Sequence, residues 1–228
     1  NRILAYYGLR LINSSPRPGI AKLIEIAINK PQLSIGDLVF YVGPRINAAG
    51  RMHSALDAVS LLLQENADEA EKQAKVLHTH NTERQAVDEK ITAEIQEIIH
   101  QNPKLLERKT LVFYKEDWHK GVVGIAASRA IELYYRPTII LTKSGDVLAG
   151  SARSVKGFDV HEALVKCKEH LLQFGGHMYA AGMSLLPENL EAFRDAFEQA
   201  GRELLSEELL TPRIDYDAEI SLTEINDT

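Results

Sequence analysis

A glycine pair followed by a histidine is the stretch of this sequence best suited to binding an anion. Gly175 and Gly176 can adopt backbone conformations that other residues avoid, which leaves their N–H groups open to a ligand. His177 follows directly, so a turn at the glycines would deliver an imidazole to the same concavity. The apolar run over 180–186 predicts a buried strand after the turn. The stretch is either a phosphate-binding loop held against a sheet or a tight turn with a surface histidine.

Two further polar segments lie in the same half of the chain. Residues 118–121, which include His119, precede a predicted helix, and the free N–H groups and positive dipole end of a helix start favour an anion. Ser151 and Arg153 are two residues apart at the end of a predicted strand, so their side chains share one face. The alternatives are a buried tryptophan beside a capping histidine, and a serine that only closes a strand-end hydrogen bond. Three such segments in one domain favour a phosphate site.

A second basic motif lies nearer the N-terminus, over residues 43–52. Arg45, Asn47 and Arg51 stand among glycines, a proline and alanines. The small residues allow another surface to approach closely, and guanidinium groups are forked donors suited to phosphate. A helix–helix junction with two solvated arginines is the alternative. Arg84, on the apolar stripe of a later helix, could face the same cleft.

The charge of the chain is unevenly distributed. The 228 residues are 45% hydrophobic and 25% charged, which is typical of a globular protein with one large or two small domains. The net charge of −6 argues weakly against a nucleic-acid partner. However, residues 1–53 hold seven Lys/Arg against two Asp/Glu, and residues 103–186 hold twelve against eight. Because these segments carry the glycine-rich motifs, a basic cleft is possible, with ordinary surface scatter as the alternative.

Several classes of protein are excluded. The single cysteine, Cys167, excludes a disulfide framework and a cysteine-based zinc site. His78 and His80 are two residues apart and do not share a helix face, so they are a poor metal pair. No apolar run approaches the ~20 residues that span a bilayer, and no signal peptide is visible. We therefore expect a cytoplasmic protein with no membrane partner, and the missing initiator methionine suggests a fragment of a longer chain.

The elements that must position these residues fall into a helical half and an α/β half. The helical spacing of apolar residues predicts helices over 3–13, 20–28 and 54–63. A longer helix is predicted to begin at Asn66 or Asp68 and to end at about residue 100. Residues 38–42 favour a short helix, although a strand is possible. The last helix, about 33 residues or ~50 Å long, would connect two lobes, with a domain boundary at 101–103.

From residue 110 onwards, strands alternate with helices, which predicts an α/β domain with a mixed sheet. Strands are predicted at 111–114, 137–142, 147–154 and 180–186, with a hairpin turn at 144–146. One helix is predicted to end near residue 134, and two further helices are predicted over 159–170 and 188–205. The tail, 212–228, alternates like a strand without a partner.

Four motifs in a fixed order resemble a known family: GPRINAAGR at 43–51, WHKGVVGIAASR at 118–129, SARS at 151–154 and GGHMYAAG at 175–182. Over almost its whole length the chain is similar to the middle of the RecJ family, bacterial single-strand-specific 5′→3′ DNA exonucleases of the DHH phosphoesterase superfamily. The resemblance implies that residues 1–53 are the end of the DHH catalytic domain and 54–102 the connector helices. It implies a DHH-associated, substrate-binding domain over 103–205 and the start of an OB-like domain over 206–228.

The resemblance also implies roles for the motif residues. His177, the catalytic candidate, would lie near the scissile phosphate and stabilise developing charge there. Ser151 and Arg153 would hold a DNA phosphate near the 5′ end. His119 would shape the turn at Gly121, with substrate contact as the minor alternative. The other predicted contacts to nucleic acid are Arg45, Asn47, Arg51, Arg84, Gly175 and Gly176.

One departure from the family concerns its metals. No Asp-His-His triplet occurs, and residues 1–53 contain only two carboxylates, Glu25 and Asp37. Two-metal phosphodiester hydrolysis needs several hard ligands around ions ~4 Å apart. The resemblance implies Mn²⁺ or Mg²⁺ in the parent protein, with ligands outside this fragment. We expect the fragment to bind nucleic acid weakly at best and not to cleave it alone.

The expected partner is single-stranded DNA, in DNA repair and recombination, with other repair proteins as further partners. Two alternatives stay open at this stage. One is a DHH-type phosphodiesterase of short oligonucleotides or cyclic dinucleotides. The other is a non-enzymatic nucleic-acid-binding module.

Overall fold

The first half of the chain is helical, as its spacing predicts. The structure, a computed structural model, describes residues 1–214 and 216–221. Its first helices are α1 (Arg2–Ser14), α2 (Pro18–Ala27), α3 (Ile35–Asp37), α4 (Gly43–Met52), α5 (Ala55–Leu63) and α6 (Ala67–Gln101). A π-helical segment, Leu38–Val42, joins α3 to α4. The preference for a helix over a strand at 38–42 is therefore confirmed.

Side-chain caps fix where several of these helices begin. The Asp37 N–H donates to Ser34 Oγ at 3.2 Å, and the Ser34 N–H donates to the Asp37 carboxylate at 2.9 Å, which is a capping box. The Lys30 ammonium, 2.6 Å from Asp37, and the Ser34 donors lower the pKa of that carboxyl to about 2. Asn66 caps α6 by accepting from two backbone N–H groups. The start of α6 is thus at Asn66 rather than Asp68.

Helix α6 belongs to two hydrophobic cores. Its first turns bury Ala70, Ala74 and Leu77 against Leu23 of α2 and Leu61 of α5. Its last turns instead bury Ile91, Ile95 and Ile99 in a cluster of the α/β half, with Leu111 and Trp118. The predicted connector therefore has a core contact at each end. Between the two apolar stretches, α6 carries Arg84 and Asp88, and the Asp88 carboxylate accepts a hydrogen bond from Arg129 of the α/β half.

The α/β half is built on a five-stranded mixed sheet, which confirms the predicted fold class. The strands are β1 (Leu111–Tyr114), β2 (Thr138–Ser144), β3 (Val147–Arg153), β4 (Gln173–His177) and β5 (Ala180–Leu185), in the order β1-β2-β3-β5-β4. Strands β1 and β2 are parallel, and the other neighbours are antiparallel. The helices of this half are α7 (Val123–Tyr134), α8 (Val160–Lys166) and α9 (Leu190–Leu204).

The two faces of the sheet are covered unequally. One face packs on α8 and α9, where Phe193 and Phe197 are fully buried against residues such as Leu148 and Leu185. On the other face, Ile140 of β2 packs with Ala126 of α7. Helix α7 contacts β2 and β3, while several residues of β4 and β5 on this face are exposed. This leaves an open shelf beside the N-terminal turn of α7.

The predicted glycine turn at 175–177 is wrong, because these residues form strand β4. The turn of the β4–β5 hairpin is Met178–Tyr179, and Gly176 pairs with Ala181. A side chain at Gly176, whose φ is 152°, would place its Cβ 2.3 Å from the Ala180 carbonyl oxygen. Gly176 therefore serves the close approach of two strands rather than a turn. By contrast, the predicted hairpin at 144–146 is confirmed, with Gly145 at φ 65°.

Two other predictions differ from the structure in detail. The helix predicted over 159–170 ends at Lys166 and continues as a 3₁₀ turn, Lys168–His170. The predicted strand in the tail has no counterpart at 212–214 and 216–221, and the rest of it lies outside the described residues. Within the described ranges, no helix combines the length and apolar character that crossing a membrane requires.

Candidate phosphate-binding site

Two rows of residues cross the open shelf from β3 over β5 to β4. Directly paired residues of antiparallel strands project from the same face. The register gives the rows Ser151–Gly182–Gly175 and Arg153–Ala180–His177. With strands ~4.8 Å apart, the backbones at the two ends of each row are ~10 Å apart. The sheet thus brings Ser151, Arg153 and His177 onto one face.

The first turn of α7 borders this shelf above Ser151 and Arg153. A Cβ at Gly124 would lie 2.9 Å from Arg153 Nη2 and 3.0 Å from Ser151 Oγ. A side chain at this position would therefore push against the Ser151 hydroxyl and the Arg153 guanidinium, and glycine lets the helix start lie close to both without displacing them. The other N–H groups of this turn, from Val123, Ile125 and Ala126, donate to backbone carbonyl oxygens. Among the described residues, the Gly124 N–H is therefore the donor of this turn that is left for an anion, and Gly124 lies beside the arginine and the serine.

Arg153 carries a positive charge that no carboxylate in the described part of the chain neutralises. Its Nη1 donates to the Ala152 carbonyl oxygen at 2.8 Å, and the side chain is half-buried. Burial, and next the proximity of Arg51, lower the pKa of the Arg153 guanidinium. Among residues 1–214 and 216–221, no carboxylate pairs with it. An arginine held in this way is electrostatically prepared for a phosphate.

Arg51 reaches this site from the helical half. It lies at the end of α4 and donates from Nη1 to the Gly121 carbonyl oxygen at 3.2 Å. The backbones meet closely, because a Cβ at Gly121 would lie 2.1 Å from the Arg51 carbonyl oxygen. The loop before α7 therefore joins the two halves. This contact places Arg51 near Arg153, as the predicted basic cleft requires.

His177 and His119, the two histidines of the candidate site, each accept a backbone hydrogen bond at Nδ1. The Tyr179 N–H donates to His177 Nδ1 at 3.2 Å, and the Gly121 N–H donates to His119 Nδ1 at 3.1 Å. An N–H donor at Nδ1 places the proton of a neutral ring on Nε2. His177 is exposed, so its Nε2–H can donate into the cleft. His119 makes the local turn contact expected of it, and its contact with phosphate stays a prediction.

Arg84 lies in a buried charge network that sequence reasoning found only in part. Its Nη1 is 3.7 Å from the Asp88 carboxylate, which also accepts from Arg129 Nε at 2.8 Å. Burial lowers the pKa of Arg84 most; Asp88 opposes this, while Arg129 and Arg51 lower it further. The roles of Asp88 and Arg129 were missed, although the i, i+4 spacing of Arg84 and Asp88 was a visible signal.

Arg45 and Asn47 are less directly connected to the shelf. Arg45 donates to the Tyr41 carbonyl oxygen at 2.6 Å and to His78 Nδ1 at 3.2 Å, within the helical half. Asn47 is exposed on the same helix. Their proposed place at the entrance between the lobes stays a prediction. His78, which the sequence analysis set aside as a metal ligand, is thus the hydrogen-bond partner of Arg45.

The described residues do not fit a divalent-metal site. No three His, Cys, Asp or Glu side chains within that part of the chain lie close enough together to hold an ion. The two carboxylates of residues 1–53 are engaged elsewhere, Glu25 with Lys22 at 2.8 Å and Asp37 in its capping box.

Comparisons with known proteins agree with this geometry. Residues 107–203 match the DHHA1 domain family. The chain is 37% identical, over 99% of its length, to the single-stranded-DNA-specific exonuclease RecJ of Salmonella typhimurium and 35% identical to that of Bacillus subtilis. It spans 41% and 29% of those two proteins.

A solved structure gives the same result in three dimensions. The crystal structure of Thermus thermophilus RecJ with Mn²⁺ superposes with a TM-score of 0.79 at 32% identity. The match covers 89% of this chain and 30% of that one. Structures of RecJ with Mg²⁺ and with manganese superpose similarly, with TM-scores of 0.77 and 0.75. Residues 107–203 therefore match the DHHA1 domain family, and the chain as a whole is similar to a segment of RecJ.

Proposed function

We propose that this chain is the substrate-gripping part of a metal-dependent exonuclease that degrades single-stranded DNA from its 5′ end, in DNA repair and recombination. One observation carries the proposal: an uncompensated arginine, a serine and an exposed histidine share one face of the sheet beside a helix start. The homologues bear the name of that activity. We propose the cytoplasm, where bacterial DNA lies, as its compartment, and other repair proteins as further partners.

The phosphate is held by charge and by hydrogen bonds. Arg153 supplies a guanidinium that no carboxylate among the described residues pairs with, Ser151 a hydroxyl, and Gly124 at the start of α7 its backbone N–H. Arg51 adds a second positive charge from the helical half. These contacts reach phosphate oxygens and not base edges, so they position a strand without selecting its sequence.

His177 acts on the neighbouring phosphate. Its Nδ1 is occupied by the Tyr179 N–H, so its Nε2–H donates to a non-bridging phosphate oxygen. A donor aimed at an oxygen that gains charge stabilises the transition state more than the ground state. In this proposal His177 is the catalytic residue that the chain contributes. It lies next to metal ions whose ligands belong to residues outside the chain.

A divalent metal held by ligands outside this chain would activate the attacking water and neutralise the remaining charge. We place its ligands outside this chain, because the described residues do not gather enough of them. RecJ structures contain Mn²⁺ or Mg²⁺. The chain alone is accordingly expected to bind single-stranded DNA and not to cleave it.

The test is Arg153→Ala, with binding of a 5′-phosphorylated single strand followed by fluorescence anisotropy over a range of salt. We expect weaker binding to strands of every sequence, and a salt dependence shallower by about one unit of log–log slope, since one phosphate contact is lost. Arg194→Ala is the matched control, because Arg194 pairs with Glu191 at 2.6 Å on helix α9, across the sheet. An unchanged slope in Arg153→Ala, or an equal loss in both variants, would refute the phosphate contact.

A further inference from the structure

One edge of the five-stranded sheet lies far from the candidate phosphate site. In the strand order β1-β2-β3-β5-β4, β1 is one edge strand, and β4, which carries His177, is the other. A groove of about 460 Å³ follows the β1 edge and is lined by every residue of that strand. The end of α6 and the start of α9 contribute to its two walls. The groove is therefore a place where a further strand can join the sheet.

Alternate residues of β1 point their backbone groups into this groove. In a parallel pair, every second residue directs both its N–H and its C=O to the neighbouring strand, and the residues between direct theirs away. The Leu111 N–H donates to the Pro137 carbonyl oxygen at 2.9 Å, so Val112 and Tyr114 face away from β2. Among the described residues, none hydrogen-bonds to the N–H or C=O of these two. Such a strand edge is a template for another strand.

A carboxylate already uses the same edge one step earlier. Thr110 directs its N–H to the same side as Val112, and that N–H donates to Glu198 of α9 at 3.0 Å. Glu198 is only 6% exposed, and it also accepts from the Thr110 hydroxyl at 2.9 Å and from the Lys109 N–H at 3.2 Å. The fold thus supplies an acceptor where α9 covers the edge. In the described part of the chain, it supplies none for Val112 and Tyr114.

The two walls of the groove differ in chemistry. Ile98 of α6 and Leu105 of the following 3₁₀ turn, Pro103–Glu107, are partly buried against the core cluster that contains Leu111. The opposite wall is the start of α9, where Glu191 and Arg194 pair at 2.6 Å. Successive side chains of a strand point to opposite faces. A strand bound here therefore turns apolar side chains towards Ile98 and polar side chains towards α9.

The charge of the groove favours an acidic strand. Its lining holds three cations, Lys104, Arg108 and Arg194, against one carboxylate, Glu191. Arg194 pairs with Glu191, and Arg108 pairs with Asp195 at 3.2 Å. Lys104 is exposed, and no carboxylate among the described residues pairs with it. Its ammonium attracts a carboxylate and disfavours a basic segment.

We propose that the β1 edge binds an extended acidic segment of a partner protein, which adds a strand to the sheet through the backbone groups of Val112 and Tyr114. The segment alternates apolar and polar residues and carries a carboxylate for Lys104. The backbone contacts supply affinity, and the two walls select the side chains. This surface goes beyond the proposed function, because it binds protein rather than DNA and lies at the opposite edge of the sheet from His177.

The probe is a capped pentapeptide, acetyl-Val-Glu-Val-Glu-Val-amide, titrated into the full chain and followed by NMR. We expect the amide signals of Val112 and Tyr114 to shift and their hydrogens to exchange more slowly with solvent. Of two peptides N-methylated at the valines or at the glutamates, one should lose binding and the other keep it, because alternate N–H groups of a strand face the sheet. The peptide with lysine in place of glutamate should bind about tenfold more weakly.

Val112→Pro tests the edge from the side of the protein. Proline is tolerated on an edge strand where its missing N–H would face away from the sheet, so the variant should fold. It should bind the peptide about tenfold more weakly, since one hydrogen bond is lost and the ring blocks the approach. Val112→Thr is the matched control, because it keeps the N–H and the branched shape. Lys104→Glu leaves the backbone intact and should make the lysine peptide the better ligand.

Several results would overturn the proposal. These are no binding to the wild type at millimolar peptide, equal binding of the two N-methylated peptides, or wild-type affinity in Val112→Pro. Slow exchange at Val112 and Tyr114 in the free chain would also overturn it: another segment of the chain then occupies the edge, or a second copy does if the protection rises with protein concentration. If Val112→Pro does not fold, Lys104→Glu and the N-methylated peptides still decide. Arg153→Ala should bind the peptide as the wild type does, so failure here leaves the proposed function intact.

Discussion

The two halves of the chain meet so closely at Gly121 that one added methyl group there should lower the stability of the protein. In Gly121→Ala, the new Cβ would lie 2.1 Å from the carbonyl oxygen of Arg51 and 2.9 Å from its carbonyl carbon. Cβ atoms essentially never approach heavy atoms within 3.0 Å. Both partners are backbone atoms of the α4 end, so no side chain can rotate away. Either the 118–122 loop or the end of α4 must move by about an ångström.

The size of the effect follows from what that movement disrupts. Overpacking a well-packed contact costs about 1–3 kcal/mol. The shift also separates Arg51 Nη1 from the Gly121 carbonyl oxygen, a hydrogen bond of 3.2 Å. For a protein of this size, 1–3 kcal/mol corresponds to a melting temperature lower by about 2–12 °C. Because Arg51 moves away from Arg153, phosphate affinity should fall as well.

Thermal unfolding and DNA binding of Gly121→Ala measure both consequences. Gly8→Ala is the matched control, since a Cβ at Gly8 of α1 meets nothing within 4 Å. Alanine in a helix interior should stabilise the control by about 0.5–1 kcal/mol. A melting temperature for Gly121→Ala equal to the wild type would refute the tight junction. Lower stability with unchanged binding would refute the coupling of Arg51 to the phosphate site.

Two carboxylates give further predictions. Because the folded pKa of Asp37, about 2, lies below its unfolded value of ~3.9, its stabilisation is complete above pH ~4 and is lost as pH falls towards 2. In urea unfolding at several pH values, the stability gap between wild type and Asp37→Asn should therefore shrink over that range; a constant gap would contradict it. Asp88→Asn should destabilise by somewhat less than the roughly 3–5 kcal/mol of a fully buried pair, since the Arg129 side chain is 48% exposed. The surface control Asp195→Asn, whose side chain is 77% exposed, should lose at most about 1 kcal/mol, and an equal loss in both would exclude a structural role for Asp88.

Local chemistry explains which parts of the fold are predictable from the sequence. Ser34, Asn66 and Asp159 accept hydrogen bonds from the first helical N–H groups, and such caps act over three residues of sequence. The long periodicity of α6 and the alternation of strands and helices after residue 110 are equally local signals. They yield the mixed α/β architecture, but not the strand order β1-β2-β3-β5-β4, which depends on long-range pairing.

The candidate site is predictable as a set of residues but not as an arrangement. The sequence offers Ser151 and Arg153 on one strand face, and the structure adds His177 through β5, which is two pairings away. Gly176 was misinterpreted because glycine is most often a turn residue, whereas here it admits the Ala180 backbone. Arg129 and Asp88 are 41 residues apart in the sequence, so no local sequence pattern predicts their contact.

The cluster of arginines at the junction has an energetic meaning. Arg84 and Arg129 share the single carboxylate of Asp88, while Arg51 lowers the pKa of both Arg84 and Arg153 by its charge. Like charges held together in this way destabilise the folded state. Under the proposed function, a phosphate bound between these arginines would remove that repulsion and meet donors that the fold has already oriented. Gly121 and Gly124 allow the close backbone approach that brings these charges together.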